Sequence, residues 1–369
     1  MNLFSYIDKY GCYTMDEVPF NEIDNVVLSM LSYLDLNGIV SSNKFNPKSI
    51  KQIGNIILEN YDKKKTQILI LKRAVSILKN IKDTRRYANL FVYNYIYRSS
   101  GNNQFCALTV EINKRLVFVS FEGTDHLISG WKEDFMMCYK FPVDAQRMAI
   151  DYVNRNFLFR RKKIILGGHS KGGNLAIVAG MYANFLIKDK IVNIYNNDGP
   201  GLLSKQFESK EYKSIENKLI HIVPDYSVIG LLLNHNSKIA VTKSFRKSIY
   251  AHDPTTWVVD DKQFMRTELS SFSNKLDEKL LEFIRKYDET QRERHVLELF
   301  EVFERASIVS FMDILDNKKL IFNIITESKD MDKETKSFLK EVLGIIFECL
   351  KTVSKEEIMN IFDKKINRE

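Results

Sequence analysis

Short apolar runs alternate with amphipathic segments over the first 268 residues. The runs "QFCALTVEI" and "RLVFVSFEGT" predict two strands joined by a short Asn-Lys turn, and "KKIILGG", "IVNIYNND" and "NKLIHIVP" predict three more. Between them, "VDAQRMAIDYVNRNF" and "KGGNLAIVAGMYANFLI" have the apolar spacing of helices. This alternation predicts an α/β fold with a mainly parallel sheet that is covered by helices on both faces.

The last hundred residues have a different pattern. Segments such as "EKLLEFIRKY", "HVLELFEVFERA" and "SFLKEVLGIIFECLKTV" place apolar residues three and four positions apart, which is typical of amphipathic helices. Pro254 is the last proline, and Gly344 is the single glycine after Gly230. We therefore expect an α/β domain over residues 1–268 and an all-helical region over residues 269–369.

Composition narrows the classes of partner. The chain has 369 residues, 44% of them hydrophobic, which is enough for a sizeable core. The residues from 270 onward hold 18 Lys/Arg and 21 Asp/Glu, a net charge of −3, which leaves +11 on the first 269 residues. A basic domain favours acidic partners and permits peripheral contact with anionic membranes. No block of like charges with interleaved aromatic residues indicates nucleic acid, so we expect none as a partner.

The cysteines and the apolar segments bear on location and cofactors. The four cysteines are scattered without a Cys-x-x-Cys pair, which argues against a zinc site or a disulfide framework. The first residues, "MNLFSYIDKYGCYTMDE", lack the pattern of a signal peptide, and "LAIVAGMYANFLI" is too short to cross a bilayer. We expect a cytoplasmic protein with no metal, no cofactor and no transmembrane segment.

A serine between a predicted strand and a predicted helix is the main candidate for chemistry. The residues from Gly168 to Gly172, "GHSKG", fit the pattern G-x-S-x-G in the strand-to-helix context that a nucleophile elbow requires. Glycines on both sides allow the sharp turn, and the following helix directs its positive end toward Ser170. We interpret Ser170 as a nucleophile rather than as part of a structural turn.

A serine nucleophile needs a histidine base and a carboxylate that orients it. His252 lies in a loop after the late strand-like segment "SKIAVTKSF", which favours it over His235. We expect the neighbouring His169 to be a packing residue whose side chain points away from the site. For the acid, Asp198 and Asp225 both follow predicted strands, and Asp225 is preferred because it comes one strand later in the order Ser, Asp, His.

Two backbone donors are candidates for an oxyanion hole. The first is the N–H of Lys171, which follows the nucleophile. The second is Thr124, because Gly123-Thr124 follows a strand of alternating Val and Phe. Thr124 is expected to offer both its N–H and its hydroxyl.

With these residues identified, the chain resembles the class-three lipases and, more closely, a bacterial Mbeg-like family related to them. "VFVSFEGTD" followed by "GWKEDF" is similar to the lipase pattern F-R-G-T…W-x-x-D, with Glu122 in place of its arginine, and "GGHSKGGNLA" is similar to G-H-S-x-G-G-x-x-A. The Mbeg-like family adds "MDEVPFNEIDNVVLSMLSYLDL", "NNDGPGL", "IVPDYSVIGLLL" and "HDPTTW". Together the matches cover roughly residues 1 to 260.

The resemblance implies an α/β-hydrolase fold and a Ser-His-Asp triad. It implies Ser170 as nucleophile, Asp225 as acid and His252 as base, with Thr124 and Lys171 at the oxyanion hole. We therefore expect a serine hydrolase that acts on carboxylic esters, with acyl lipids as candidate substrates. A thioesterase or amidase with the same triad, and a non-catalytic binding protein on a hydrolase scaffold, are the alternatives.

Overall fold

The computed structural model describes residues 1–61, 68–100, 103–124, 128–235, 238–309 and 318–351. In these ranges the main sheet has eight strands, which lie in chain order across the sheet. The first four are paired antiparallel, and the fourth to the eighth are parallel. The strands are β1 (Lys48–Ser49), β2 (Phe91–Ser100), β3 (Asn103–Asn113), β4 (Leu116–Phe121), β5 (Lys163–His169), β6 (Ile191–Asn197), β7 (Leu219–Pro224) and β8 (Ile239–Thr242).

Helices precede the main sheet and connect its strands. Those that precede or flank its first strands are α1 (Leu3–Tyr10), α2 (Glu22–Ser29), α3 (Ile50–Asn60) and α4 (Leu69–Ile81). Those between the parallel strands are α5 (Ile128–Met136), α6 (Asp144–Phe157), α7 (Lys171–Tyr182), α8 (Phe185–Lys188), α9 (Ser204–Phe207) and α10 (Lys210–Lys213). A small hairpin of β9 (Val259–Asp260) and β10 (Gln263–Phe264) follows the main sheet.

The side chains of the parallel strands alternate between two cores. Phe118 and Ile165 face the core formed with α1 to α4, whereas Val117, Val119 and Leu166 face the core formed with α6 and α7. This period of two is what a strand buried on both faces produces. Both faces are covered by helices, so the predicted α/β-hydrolase fold is confirmed.

The predicted helix "KGGNLAIVAGMYANFLI" is two helices rather than one. Ala183 has an extended backbone, with φ −60° and ψ 143°, which ends α7. The side chain of Asn184 then accepts a hydrogen bond from the N–H of Leu186 and begins α8. Asparagine favours such a capping position over a helix interior, and this preference accounts for the break.

In the described part of the chain, four helices follow the α/β domain and pack on the carboxyl-end side of the sheet. They are α11 (Ser271–Lys286), α12 (Glu289–Arg305), α13 (Lys318–Glu327) and α14 (Lys333–Lys351). Helix α11 contacts the 3-10 turn Ile229–Leu231, α12 contacts α5, and α14 contacts the 3-10 turn Ser248–His252. The ring centroids of Phe135 in α5 and Phe300 in α12 lie 5.4 Å apart.

The boundary expected at residue 268 falls just before α11, and parts of the expected helical region, residues 310–317 and 352–369, lie outside the described residues. The described helices of this region share apolar cores with the α/β domain. Among all the helices in the described ranges, none combines the length and the apolar composition that crossing a bilayer requires.

Candidate active site

Ser170 occupies a strained turn between β5 and α7. Its φ of 57° and ψ of −135° are unusual for a residue with a side chain, and its N–H donates to the carbonyl oxygen of Asn197 at 3.0 Å. A Cβ on Gly172 would lie 2.1 Å from the carbonyl oxygen of Phe121, and one on Gly168 would lie 2.3 Å from the carbonyl carbon of Gly172. The turn therefore needs glycine on both sides of the serine, as the motif predicted.

His252 and Asp198 form an acid–base pair beside this turn. The Nδ1 atom of His252 lies 2.6 Å from Oδ2 of Asp198. Asp198 is completely buried, and its Oδ1 accepts hydrogen bonds from the Ser227 hydroxyl at 2.5 Å and from the Gly230 N–H at 3.1 Å. An ionised carboxylate only accepts, so Nδ1 carries the proton and Nε2 of His252 is left as an acceptor.

The expected pairing of His252 with Asp225 is corrected to a pairing with Asp198. Oδ1 of Asp225 instead accepts from the N–H of Ser244 at 3.1 Å, and burial raises the pKa of Asp225. Asp198 directly follows β6, which is hydrogen-bonded to β5, whereas Asp225 follows β7, one strand farther from the serine. Both aspartates satisfy the chain order Ser, Asp, His, so order alone did not separate them.

One residue next to Ser170 in the chain and one hydrogen-bonded to it link the serine to the histidine–aspartate pair. The rings of His169 and His252 have centroids 4.4 Å apart, so His169 does not point away from the site as expected. On the other side, Asn197 accepts the N–H of Ser170 and is followed directly by Asp198. These contacts bring the nucleophile, base and acid candidates to one edge of the sheet.

His235, the alternative base, has a different partner. Its Nε2 lies 3.1 Å from Oδ1 of Asp277, which belongs to α11. This contact ties the loop before β8 to the helical region. In the part of the chain that the structure describes, no group of three or more His, Cys, Asp and Glu side chains is arranged to hold a metal ion.

The loop after β4, in which the sequence predicts an oxyanion-hole donor, contacts the serine. A Cβ on Gly123 would lie 2.9 Å from Cβ of Ser170 and 2.1 Å from the Tyr33 hydroxyl oxygen, so only glycine permits this approach. The hydroxyl of Thr124 donates to Oδ2 of Asp134 and is therefore not available to a substrate, contrary to expectation. Thr124 retains its N–H, and Lys171, the first residue of α7, has an N–H without an acceptor inside the helix.

The Lys171 side chain has a role that the motif did not predict. It is buried, with Nζ 3.1 Å from Oε2 of Glu133 and 3.8 Å from Oδ1 of Asp134. Burial lowers the pKa of Lys171, but Asp134 and Glu133 outweigh that effect, so the pKa is raised and the group stays charged. Glu133 also accepts the N–H of Ala145 at 2.8 Å. The ion pair thus links α7 to α5. Through Glu133 it also links α7 to α6, and through Asp134 to the hydroxyl of Thr124.

Comparisons with known proteins place the chain in a family. The Mbeg1-like family profile matches residues 81–301, which is more than half of the chain and includes Ser170, Asp198 and His252. No curated protein matches. Among solved structures, the crystal structure of M37 lipase is similar at 14% identity and a TM-score of 0.35, covering 66% of this chain and 82% of that one. The family match confirms the resemblance found in the motifs: the chain belongs to the Mbeg1-like family.

Proposed function

We propose that this protein is a serine hydrolase that cleaves carboxylic esters. The proposal rests on one observation above all: a buried, fully hydrogen-bonded Asp198 holds His252 at 2.6 Å beside a serine in a strained strand-to-helix turn. In this proposal Ser170 is the nucleophile, His252 the base and Asp198 the acid. The backbone N–H groups of Lys171 and Thr124 form the oxyanion hole.

The proposed reaction proceeds through an acyl-enzyme. The Ser170 hydroxyl attacks the ester carbonyl carbon while Nε2 of His252 takes its proton, and Asp198 stabilises the imidazolium. The tetrahedral oxyanion accepts hydrogen bonds from the two N–H groups, aided by the positive end of the 12-residue helix α7. The imidazolium returns the proton to the leaving alcohol. A water molecule, activated by the same histidine, then hydrolyses the acyl-enzyme.

Acyl lipids are the candidate substrates that the resemblance to the class-three lipases suggests, and the stretch that follows Asp225 is apolar. Val228, Ile229 and Leu231 belong to the stretch "SVIGLLLNH", and they form a cluster with Leu276 and Leu280 of α11. This stretch also contains Gly230, whose N–H donates to the proposed acid, so the cluster adjoins the reacting groups. For acyl-lipid substrates, activity is expected to rise with acyl chain length in a series of nitrophenyl esters.

Probe labelling and a substrate panel test this proposal. A fluorophosphonate should add to the full-length protein with the mass gain located at Ser170, and the protein should hydrolyse short nitrophenyl esters. Ser170→Ala should lose both, whereas Ser204→Ala, at an exposed serine in α9, should retain both. Faster turnover of thioesters or amides than of matched esters would reassign the substrate class. Folded protein that neither labels nor hydrolyses would contradict catalysis and favour a binding function.

A further inference from the structure

The side of the sheet opposite the candidate active site has two protruding phenylalanines. Phe159 follows α6 and is 93% exposed, and Phe185 begins α8 and is 71% exposed, with Leu186 beside it at 46%. Both segments lie where β5 and β6 begin. Exposed apolar side chains that share one surface, unlike single ones, mark sites that contact a partner.

Hydrogen bonds hold the two segments together. The N–H of Asn184 donates to Oδ1 of Asn154 in α6 at 2.8 Å. On the other side of α8, Nζ of Lys190 donates to the carbonyl oxygen of Leu158 at 3.1 Å. The end of α6 and the short helix α8 are therefore fixed against each other, so their exposed apolar side chains form one surface.

Exposed cations follow Phe159 in the chain and lie in the turn before β4. Arg161 and Lys163 follow Phe159 in the chain, and Lys114 and Arg115 precede β4 in the adjoining turn, where Arg115 accepts the N–H of Lys163 at 2.8 Å. All four are exposed, and in the described ranges none of them forms an ion pair. Lys162 is paired with Glu111 at 2.7 Å, and the acids nearby include Asp189, which is exposed, and Glu211, whose charge reaches Lys188 of α8.

We propose that this surface, which we call the amino edge (Phe159, Phe185, Leu186 and the four exposed cations), binds an anionic lipid bilayer. Phenylalanine and leucine side chains insert readily at the level of lipid headgroups. Neighbouring lysines and arginines are attracted by negatively charged headgroups. The combination of protruding apolar tips and exposed cations matches the two layers of an anionic bilayer surface.

The amino edge and the candidate active site lie at opposite ends of the parallel strands. Ser170 lies seven residues along β5 from Lys163, a span of about 23 Å for an extended strand. A protein held at the amino edge thus turns its candidate active site away from the bilayer. Membrane binding is therefore independent of the proposed function, and it should not require Ser170.

Co-sedimentation with vesicles tests the proposal. The full-length protein should bind vesicles of phosphatidylglycerol and phosphatidylcholine, bind pure phosphatidylcholine much more weakly, and dissociate as salt is added. The double variant Phe159→Ser/Phe185→Ser should bind at least about tenfold more weakly. Arg161→Glu should also weaken binding, by at least about fivefold. Phe45→Ser, which removes a phenylalanine that is 84% exposed elsewhere, should bind like the unaltered protein.

Tryptophan fluorescence supplies a second measurement, which reports which side chain enters the bilayer rather than how tightly the protein binds. Tryptophan introduced as Phe159→Trp should be quenched by brominated lipids in the bilayer, and Phe45→Trp should not. Failure of the full-length protein to sediment with anionic vesicles would overturn the proposal. It would also be overturned if the double variant bound as tightly as the unaltered protein, or if Phe45→Ser lost as much binding as the double variant. Binding to single-stranded nucleic acid, lost in the double variant without any binding to vesicles, would also overturn it.

Discussion

The side chain of His169 bonds to the backbone of His252: its Nε2 lies 2.8 Å from the carbonyl oxygen of His252. Burial lowers the pKa of His169 far below its ordinary value, so the ring is neutral and has a single N–H. Because a carbonyl only accepts, that N–H is on Nε2, and Nδ1 accepts from the Tyr33 hydroxyl at 2.9 Å. Tyr33 and His169 together fix the turn that presents His252.

Loss of this contact should impair turnover more than substrate binding. We expect His169→Phe to lower kcat for a nitrophenyl ester about tenfold to a hundredfold with little change in KM. A displaced base slows the reaction step without weakening substrate binding. His169→Gln, which retains a donor, should recover part of the loss. Steady-state kinetics on folded variants measure the effect. A His169→Phe enzyme with unaltered kcat would show that the contact does not position the base.

The identity of the acid can be tested by comparing two matched variants. Asp198→Asn should lower kcat by about 10⁴, because an amide cannot stabilise the imidazolium and favours the wrong tautomer of His252. Asp225→Asn should retain activity within about tenfold, since its carboxylate accepts from the backbone of Ser244 and not from His252. The measurement is kcat for the same ester. The opposite ranking would restore Asp225 as the acid.

The buried ion pair of Lys171 should matter for stability far more than an exposed pair of similar length. Lys171→Met leaves Glu133 and Asp134 buried without their cation, and we expect a loss of about 3–5 kcal/mol in the free energy of unfolding. Lys9→Met removes an exposed pair with Asp261 at 2.9 Å and should cost far less, because water and salt screen that pair. Urea unfolding compares the two. Equal losses would show that burial does not distinguish these pairs.

A buried histidine should make the fold sensitive to acid. Burial lowers the pKa of His221 to about 3, whereas an unfolded histidine has a pKa of about 6.5. Between these values the unfolded chain binds a proton that the folded protein does not, so His221 lowers stability as the pH falls below about 6.5. The slope is about 1.4 kcal/mol per pH unit over this window, and the effect is absent above it.

His221→Gln isolates this contribution. The variant lacks the titrating group, so its free energy of unfolding should fall less steeply than that of the unaltered protein between pH 6.5 and pH 4. Urea unfolding at several pH values gives both slopes, and effects common to the two proteins cancel in the difference. Parallel slopes would mean that His221 takes up its proton equally in both states.

Local features of the sequence were sufficient for the serine turn and for most of the sheet. The turn at Ser170 depends on glycines within two residues and on the strand and helix beside it, which all lie in one short segment. The helix break at Asn184 depended on one capping hydrogen bond, which competed with a continuous apolar pattern across the same residues. A spacing pattern does not contain that information.

Long-range contacts account for what the sequence did not reveal. Asp198 and Asp225 both end strands, and the choice between them depends on the path of the chain to His252, 54 residues beyond Asp198. Tyr33 reaches His169 across 136 residues, and nothing in its own surroundings marks it. The pattern W-x-x-D includes Asp134. It does not indicate that this carboxylate accepts a hydrogen bond from the hydroxyl of Thr124.

The packing of the last helices on the sheet has a consequence for how mutations should act. Helix α11 rests on the turn that fixes the proposed acid, and α14 rests on the turn that ends at the proposed base. Helix α12 rests on the helix that anchors the loop of the proposed oxyanion hole. None of the proposed catalytic residues comes from these helices. Substitutions far along the chain can therefore inactivate the protein without touching its chemistry, because they loosen three separate supports of one site at once.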